Sequence, residues 1–400
     1  MIRTRAVPVM VPRGGGDLRR LFDRGDGDPV ASLERALHAS GLAPNARVAG
    51  RGRDALGALL SRCTDRRGEV IVPAYTDASV YDAVVLAGHR PVLADVRADD
   101  GNLDPDGLPI SNDTVAVIAT HLYGHPADLD VLIERAASSR IAVIEDAAHA
   151  LGARFGDARV GSFGAGAFTS FAPFKIVQAH GGGVAWSKDP NVARTLAAAL
   201  AREPARANVT KALSHAMLGA LTRTPAYDAI THPIARAATD ARLDPKRLYK
   251  RWIRPALKRG ADDARPGFSA YQARLALAQL DGLDDRAARR RAHADRVREA
   301  CGDVARFTAA RPGRTSAELM LAVYASDPAR AIAHLHRRGV GALRSPMSDL
   351  FARERGGGTS VSAWIAAHAV LLPCDAELAP AHTARVIDAV RAAKHEWVRP

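Results

Sequence analysis

Short apolar runs rich in β-branched residues alternate with helical stretches between residues 68 and 187, and this alternation limits the folds open to the chain. Continuously apolar runs are typical of strands that are covered on both faces. Strands separated by helices predict a mainly parallel sheet. The predicted strands lie at 70–72, 92–94, 115–119, 141–144, 167–171 and 183–186, with a helix over 127–139. The sequence therefore predicts an α/β fold with a mainly parallel central sheet flanked by helices.

One carboxylate and one lysine fall where a parallel sheet usually carries its chemistry. Asp146 ends the apolar run that begins at Ile141, and Lys175 follows the next β-rich run, 29 residues after Asp146. Sites in such sheets form at the carboxyl ends of strands. An aldehyde cofactor with a pyridine ring needs a lysine that forms a Schiff base and a carboxylate that keeps the ring nitrogen protonated. The pair predicts a site for such a cofactor.

The length of 400 residues predicts two or three domains with ample room for a buried core. We expect a large α/β domain over residues 1–265, which includes an N-terminal arm and a helical segment over 189–265. Residues 266–400 predict a smaller C-terminal α+β domain. Its expected elements are a long helix from 268 to about 301, a strand over 319–324, and helices over 329–338 and 381–393.

The formal net charge of +13 predicts a basic surface. An anionic partner, such as nucleic acid, a phosphorylated substrate or a membrane surface, is one interpretation. Solvated helix faces rich in arginine are the simpler one, and only the stretch from Arg286 to Arg291 is a dense basic run. It comes without a helix-turn-helix, zinc-finger or RNA-binding signature. We therefore expect no nucleic-acid partner.

The remaining composition is that of a cytoplasmic protein. The three cysteines, Cys63, Cys301 and Cys374, have no metal-ligand spacing, so we expect no metal site and a reducing compartment. The N-terminus lacks the apolar core of a secretion signal. No run of 18 or more apolar residues occurs, so we expect no membrane span.

A series of short motifs, in a fixed order, resembles the DegT/DnrJ/EryC1/StrS family of fold type I, PLP-dependent sugar aminotransferases. Each motif alone is weak, whereas their order and spacing together are specific, and the resemblance extends from about residue 50 to the end. The motifs begin at Glu69 (EVIVPAYT), Leu86 (LAGHRPV), Asn102 (NLDP), His121 (HLYGHPAD), Glu145 (EDAAHA), Val160 (VGSFG), Ser170 (SFAPFK), Gly181 (GGGV) and Leu371 (LLP).

The resemblance implies roles for three residues around the pyridoxal 5'-phosphate ring. Lys175 resembles the Schiff-base lysine, which also shuttles a proton during transamination. Asp146 resembles the partner of the pyridinium nitrogen, and it could cap a helix at the same time. His149 occupies a place where the family has Gln or His beside the cofactor. A satisfied core histidine is the alternative interpretation of His149.

Two further matches imply the phosphate site. Ser170 resembles the serine that hydrogen-bonds the cofactor phosphate. Gly52 and its neighbours resemble the glycine turn at a helix N-terminus, where free amides and the helix dipole favour an anion. The family's Ser-Gly-Thr turn is Arg51-Gly52-Arg53 here. The hydroxyl is lost, the backbone amides remain, and Arg53 could replace the hydroxyl.

Other positions depart from the family's pattern. Asp77 stands where the family has an aromatic residue that stacks on the cofactor ring, so Tyr75 or another group has to take that role. Ile176 replaces the Asn that follows the lysine. The segment that crosses the family's dimer to the phosphate aligns with residues 265–267, where Arg265 is the candidate contact.

Two hypotheses from different classes follow. The first is an aminotransferase that loads its cofactor from an amino acid, with glutamate as the expected donor, and passes the amino group to a keto sugar, expected to be nucleotide-linked. The retained Lys175 favours it over related dehydratases, which lack the lysine. The second, favoured by Asp77 and the altered phosphate turn, is a binding or regulatory protein that keeps the fold. The resemblance also implies a homodimer.

Overall fold

The computed structural model describes residues 6–9, 18–21, 27–201, 205–240, 267–356 and 359–399. The strands in the described residues are β1 (Arg47–Ala49), β2 (Glu69–Pro73), β3 (Tyr75–Thr76), β4 (Arg90–Ala94), β5 (Thr114–Thr120), β6 (Ala142–Asp146), β7 (Arg154–Phe155), β8 (Ala158–Arg159), β9 (Gly166–Ser170), β10 (Gly183–Trp186), β11 (Arg314–Thr315), β12 (Leu321–Tyr324), β13 (Leu343–Arg344), β14 (Ser348–Asp349) and β15 (Ala369–Leu372).

The α-helices of the same described ranges, numbered in chain order, are α1 (Pro29–Ala39), α2 (Gly52–Cys63), α3 (Ala78–Leu86), α4 (Leu129–Ala137), α5 (Pro190–Leu200), α6 (Val209–Arg223), α7 (His232–Asp240), α8 (Ala270–Leu277), α9 (Leu283–Cys301), α10 (Pro328–Arg337), α11 (Leu350–Arg355), α12 (Val361–His368) and α13 (Pro380–Ala392). A short π-helical turn, Tyr227–Thr231, joins α6 to α7.

The central sheet has the strand order β1-β10-β9-β6-β5-β2-β4 within the described residues. In this sheet β9, β6, β5, β2 and β4 are parallel to one another. Strands β10 and β1 are added at one edge by antiparallel pairing. Every strand predicted between residues 68 and 187 is present, and the predicted α/β fold with a mainly parallel sheet is confirmed.

Helices cover both faces of this sheet because neighbouring strand residues point to opposite sides. On one side Val72 packs in a buried cluster with Leu59 of α2. On the other side Ile71, the preceding residue, packs with Leu132 of α4. Each such side chain contributes about 1.5–3 kcal/mol on burial. This two-sided burial explains why the strands read as continuous apolar runs.

The long helix expected from 268 to about 301 is wrong as one element, because it forms two helices, α8 and α9. Gly282 lies between them in the left-handed region, with φ of 66°. Glycine accepts that conformation without steric cost, so the chain turns there and restarts a helix at Leu283.

The C-terminal part forms a second layer around the three-stranded sheet β12-β15-β13. Helices α9, α10 and α13 pack their apolar faces into its core. The boundary predicted between residues 265 and 266 stays a prediction. The described packing places Tyr271 and Ala276 of α8 in one cluster with Leu33 and Leu37 of α1, on the side of the central sheet.

A two-stranded ribbon links the C-terminal part to the central sheet. Strand β14 pairs antiparallel with β3, with Ser348 opposite Thr76 and Asp349 opposite Tyr75. The Leu350 amide also donates to the Ala74 carbonyl at 2.8 Å. The ribbon therefore fixes the segment that leads into Asp77.

The segment predicted to be helical over 189–265 forms α5, α6 and α7 as far as Asp240, and its remainder lies outside the described residues. In the part of the chain that the structure describes, none of the helices has the length and apolar character needed to cross a bilayer.

Candidate active site

A cavity of about 630 Å³ opens at the carboxyl ends of β6 and β9, against the N-terminus of α2. This is where a parallel sheet is expected to place a ligand. Six of the predicted site residues line it: Gly52, Arg53, Asp146, His149, Ser170 and Lys175. The structure thus brings together residues that are spread over more than 120 positions of the sequence.

Asp146 ends β6, and the two oxygens of its carboxylate differ in their hydrogen bonding. Oδ1 accepts a hydrogen bond from the Ala148 amide at 2.9 Å, which is the local capping role expected of Asp. Oδ2 accepts none from the residues that the structure describes. Burial raises the pKa of Asp146, and the Ala148 amide and the Lys175 ammonium oppose that rise. A buried carboxylate with an open oxygen is suited to hold a cationic N–H group.

Glu145, the residue before Asp146, keeps this strand end rigid. Its carboxylate accepts backbone hydrogen bonds from Gly161, Phe163 and Gly164 at 2.6–2.9 Å. Burial alone would raise the pKa of Glu145, but the hydrogen bond from His121 and those backbone amides hold it below its usual range. The motif that begins at Val160 is therefore a loop that wraps around Glu145.

Lys175 lies in the turn after β9, beyond a residue with unusual backbone geometry. Phe174 has φ of 65°, the left-handed region that bulky residues rarely adopt. Such conformations persist where the surrounding structure imposes them, and they cluster at functional sites. Burial lowers the pKa of Lys175, and the carboxylates of Asp146 and Asp77 oppose this. A lysine with a lowered pKa has a larger fraction of neutral, nucleophilic amine at neutral pH.

The N-terminus of α2 forms the anionic end of the site. Its N-cap residue, Arg51, makes no side-chain capping hydrogen bond, because a guanidinium has no acceptor. A Cβ atom added to Gly52 would meet Ser170 Cβ at 3.1 Å, so the serine lies directly against the first turn of the helix. The uncapped amides, the helix dipole and the neighbouring guanidinium groups favour an anion there.

Ser170 ends β9 beside this helix. Its Oγ accepts from the Ala172 amide at 3.2 Å. Within the described ranges its hydroxyl hydrogen has no acceptor, so it remains available to a ligand. Arg53 is exposed and lines the cavity beside Gly52.

His149 lies on the cavity wall and is buried. Its Nδ1 accepts the Tyr123 amide N–H at 3.3 Å, and the two rings stack with centroids 6.5 Å apart and an interplanar angle of 19°. Burial, helped by the charge of Lys175, lowers the pKa of His149 well below its usual value. The imidazole is therefore neutral. His149 packs in the core and also lines the cavity, and its contact with a cofactor stays a prediction.

Tyr75 does not line the cavity and is fully buried behind it. Its hydroxyl is hydrogen-bonded to Tyr123 and to Ser345. This placement does not support the expectation that Tyr75 stacks on a cofactor, because the ring packs in an apolar cluster with Leu122 and Met347. Tyr75 and Asp77 lie two residues apart on the same short segment. The sequence alone does not indicate which of the two side chains lines the cavity.

Asp77 lines the cavity and also caps a helix. Its Oδ1 accepts from the Ser79 amide at 2.8 Å and so caps α3. The same carboxylate raises the pKa of Lys175 by its charge. Asp77 is therefore a second anionic group near the lysine, with a structural role that an aromatic residue could not fill.

One side of the cavity is not marked by any motif of the sequence. This side is formed by side chains that no quoted motif contains, and it lies between the segment before α6 and the start of α8. Its residues are Ala205, Arg206, Asn208, Tyr271 and Gln272. No spacing signal marks them, because the contact depends on how distant helices pack. Arg265, the other arginine predicted to reach a phosphate, lies outside the described residues.

A family sequence model described as the DegT/DnrJ/EryC1/StrS aminotransferase family matches residues 22–230 and 267–391. Two curated relatives are similar over shorter stretches. The chain is 34% identical to a pleiotropic regulatory protein of Geobacillus stearothermophilus over 171 residues, 42% of this chain and 46% of that protein. It is 40% identical to a dTDP-3-amino-3,4,6-trideoxy-alpha-D-glucose transaminase of Streptomyces venezuelae over 131 residues, 32% of this chain and 35% of that protein. The chain thus spans less than half the length of each relative.

A solved structure extends the similarity to nearly the whole chain. DesV from S. venezuelae matches with a TM-score of 0.71 and 25% identity, and the match covers 96% of this chain and 95% of that chain. The match therefore includes the central sheet and the C-terminal part together.

Proposed function

Since the chain belongs to the DegT/DnrJ/EryC1/StrS aminotransferase family, we propose that it is a pyridoxal 5'-phosphate-dependent aminotransferase that moves an amino group from an amino acid to a keto sugar. The observation that carries the proposal is the cavity in which Lys175, Asp146 and the uncapped N-terminus of α2 meet. We propose glutamate as the amino donor. We also propose a nucleotide-linked sugar as the acceptor, because the name of the S. venezuelae transaminase contains a dTDP-linked sugar.

The residues of the cavity fit this cofactor. Asp146 offers a protonated ring nitrogen its Oδ2, which accepts no hydrogen bond from the described residues, and the helix turn at Gly52 offers amides to a phosphate. Ser170, against that turn, offers a hydroxyl. The cavity of about 630 Å³ is large enough for a cofactor together with part of a substrate. The fit supports Lys175, Asp146, His149, Ser170, Gly52 and Arg53 as the site residues.

When bound, pyridoxal 5'-phosphate supplies a ring that withdraws electrons from the substrate carbon. The chain supplies the positioned acid and base. Lys175 Nζ, with its lowered pKa, would take a proton from the substrate carbon that carries the amino group and deliver it to C4′ of the cofactor, which is the proton shift that transamination requires. Asp146 would stabilise the positive charge of the protonated ring nitrogen. Burial of the carboxylate strengthens this electrostatic attraction. The N-terminus of α2, together with Ser170 and Arg53, would hold the phosphate of the cofactor. This anchoring fixes the orientation of the cofactor ring.

The alternative of a binding or regulatory protein is not favoured. It rested on Asp77 and on the arginines of the phosphate turn, and both now have a place in the cavity that leaves Lys175 and Asp146 intact. We also propose that the chain forms a homodimer. The cytoplasmic location stays a prediction.

The first experiment is the visible absorption spectrum of the purified protein with added pyridoxal 5'-phosphate, before and after glutamate. We expect a band from the cofactor joined to Lys175, and its loss when the donor is added. Lys175→Ala removes the band, whereas Lys188→Ala, which changes an exposed lysine after β10, keeps it. A wild-type spectrum identical to that of free cofactor would overturn the proposal. A band that persists with glutamate but disappears with another amino acid would change only the donor.

A further inference from the structure

Three hydroxyl groups form a closed hydrogen-bonded ring behind the cavity, which we call the hydroxyl ring: Tyr75, Tyr123 and Ser345. Tyr75 donates to Ser345 Oγ at 2.6 Å, and the Tyr123 hydroxyl lies 2.7 Å from that of Tyr75 and 2.9 Å from Ser345 Oγ. Each hydroxyl has one hydrogen to donate. With Tyr75 donating to Ser345, the ring closes when Ser345 donates to Tyr123 and Tyr123 donates to Tyr75.

The hydroxyl ring joins three distant parts of the chain. Tyr75 belongs to β3, Tyr123 to the turn after β5, and Ser345 to the segment between β13 and β14. Burial raises the pKa of Tyr75 well above its usual value and that of Tyr123 to about 12. Both phenols are therefore neutral donors at physiological pH. A buried ring in which every hydroxyl is satisfied is rigid, because removing one hydroxyl breaks two of its three hydrogen bonds.

The backbone of Tyr123 is held in a conformation that its side chain disfavours. Its φ and ψ are 57° and 3°, and a bulky residue in this left-handed region needs support from its surroundings. The Leu319 and Met320 amides donate to the Tyr123 carbonyl at 2.9 and 3.4 Å and hold its backbone on one side. The hydroxyl ring anchors the far end of the side chain. In this conformation the Tyr123 amide donates to His149 Nδ1 at 3.3 Å.

The acceptor role of Nδ1 decides the tautomer of His149. A neutral imidazole carries one proton, so an Nδ1 that accepts a hydrogen bond leaves the proton on Nε2. Within the described residues Nε2 has no hydrogen-bond partner, and His149 lines the cavity. The wall of the site therefore presents an N–H donor.

We propose that the hydroxyl ring positions His149: it holds Tyr123 in the left-handed conformation that directs its amide to Nδ1, and so fixes the imidazole as the Nε2-protonated tautomer. Tyr123 and Ser345 are positioning residues that act through His149. The importance of the tautomer rests on the proposed function, because an N–H donor at this wall suits an acceptor oxygen of the cofactor. The tautomer itself is a property of the protein without cofactor.

The test is nitrogen-15 NMR of histidine-labelled, cofactor-free protein at neutral pH, with His149→Gln to assign the signal. Tyr123→Phe and Ser345→Ala each remove one hydroxyl of the ring. Tyr324→Phe is the matched control, because it removes a buried tyrosine hydroxyl of the same apolar cluster that donates to the Ala98 carbonyl instead. Circular dichroism confirms that each variant is folded.

We expect the wild type and Tyr324→Phe to show His149 as the Nε2-protonated tautomer, and at least one folded ring variant to show the two nitrogens averaging between tautomers. In turnover assays, the ring variants should lower kcat more than they raise KM, because substrate contacts are unchanged. Wild-type His149 signals in both ring variants would overturn the proposal, as would the same change in Tyr324→Phe. Since the NMR readout needs no cofactor, its failure is distinct from a failure of the proposed function.

Discussion

Burial acts in opposite directions on two charged residues that line the cavity. It lowers the pKa of the Lys175 amine and raises that of the Asp146 carboxyl, while the attraction between their charges opposes both shifts. Burial dominates, so the lysine is a better nucleophile than an exposed one at the same pH. The size of the downward shift of the Lys175 pKa therefore depends on how many carboxylates remain beside it.

Asp146→Asn should lower the pKa of Lys175 further, because the substitution removes the carboxylate that raises this pKa most strongly. Asp77→Asn should act in the same direction by a smaller amount, since the charge of Asp77 has the weaker effect on the lysine. The measurement is the rate of reductive methylation of Lys175 against pH in cofactor-free protein, read by peptide mass spectrometry, with exposed Lys188 as the internal reference. In both variants the midpoint for Lys175 moves to lower pH than in the wild type. A midpoint that rises in Asp146→Asn contradicts the assignment.

Two backbone segments, the first turn of α2 and the glycines before β10, shape the cavity at the scale of elements. An added Cβ would clash with a neighbour at Gly182, and at Gly52 it would fit only if the neighbouring serine moved slightly. Gly52 lies against Ser170, and Gly182 lies against Phe268. The two contacts serve different purposes, since the first faces the phosphate end of the site and the second holds α8 close to the sheet.

Gly52→Ala should weaken binding of pyridoxal 5'-phosphate about tenfold, roughly 1.4 kcal/mol, because the added methyl group displaces Ser170 from the first turn. Binding of pyridoxal, which lacks the phosphate, should change little. The matched control is Gly57→Ala in the same helix, where an added Cβ meets nothing within 4 Å. Fluorescence titration with both ligands measures the ratio of affinities. Equal losses for pyridoxal and its phosphate would show that the α2 terminus does not hold the phosphate.

Gly182→Ala should destabilise the fold by about 2–4 kcal/mol, which combines the cost of a left-handed alanine with that of overpacking. Gly182 has φ of 91°, and an added Cβ would lie 2.2 Å from the Phe268 ring. Gly41→Ala separates the two costs, since Gly41 has φ of 67° and open space around it. Urea unfolding should give about 1–2 kcal/mol for Gly41→Ala. Equal losses of unfolding free energy in the two variants would mean that the Phe268 ring moves aside without measurable cost.

Elements with a strong local signal could be predicted, and contacts between distant elements could not. The apolar runs that form β2, β5 and β6 are buried on both faces. Such burial requires a continuous run of apolar residues, and this run predicts the strand. The break at Gly282 is not predictable from the sequence, because an isolated glycine inside a helical pattern is often tolerated.

The residues of the candidate active site also divide into those that a local sequence signal predicts and those that depend on contacts between distant elements. Lys175 and Asp146 were predictable because strand ends and motif spacing place them, whereas Arg206 and Tyr271 reach the cavity only through the packing of α6 and α8. Likewise the role of Tyr75 was predicted from its neighbours in sequence. The hydrogen bond to Ser345, 270 residues away, determines it instead.

At the scale of the whole molecule, one helix carries an apolar face that the described residues leave open. Val209, Leu213 and Met217 recur every four residues along α6 and therefore share one face. Their side chains are 52%, 52% and 63% exposed. Contiguous apolar surface of this kind marks an interaction site more often than free surface. The proposed homodimer supplies a partner for it.

Sedimentation velocity of the wild type should therefore give a mass near twice 42.4 kDa. Replacing Leu213 and Met217 together by Asn should shift the protein toward monomer, because two apolar side chains are lost from the centre of the face and two polar groups must be desolvated for association. Val361→Asn is the control, since Val361 is an exposed apolar residue of the C-terminal part, on α12. A fully active wild-type monomer contradicts the homodimer. A dimer that survives the double substitution but dissociates in the control places the interface on the C-terminal part instead.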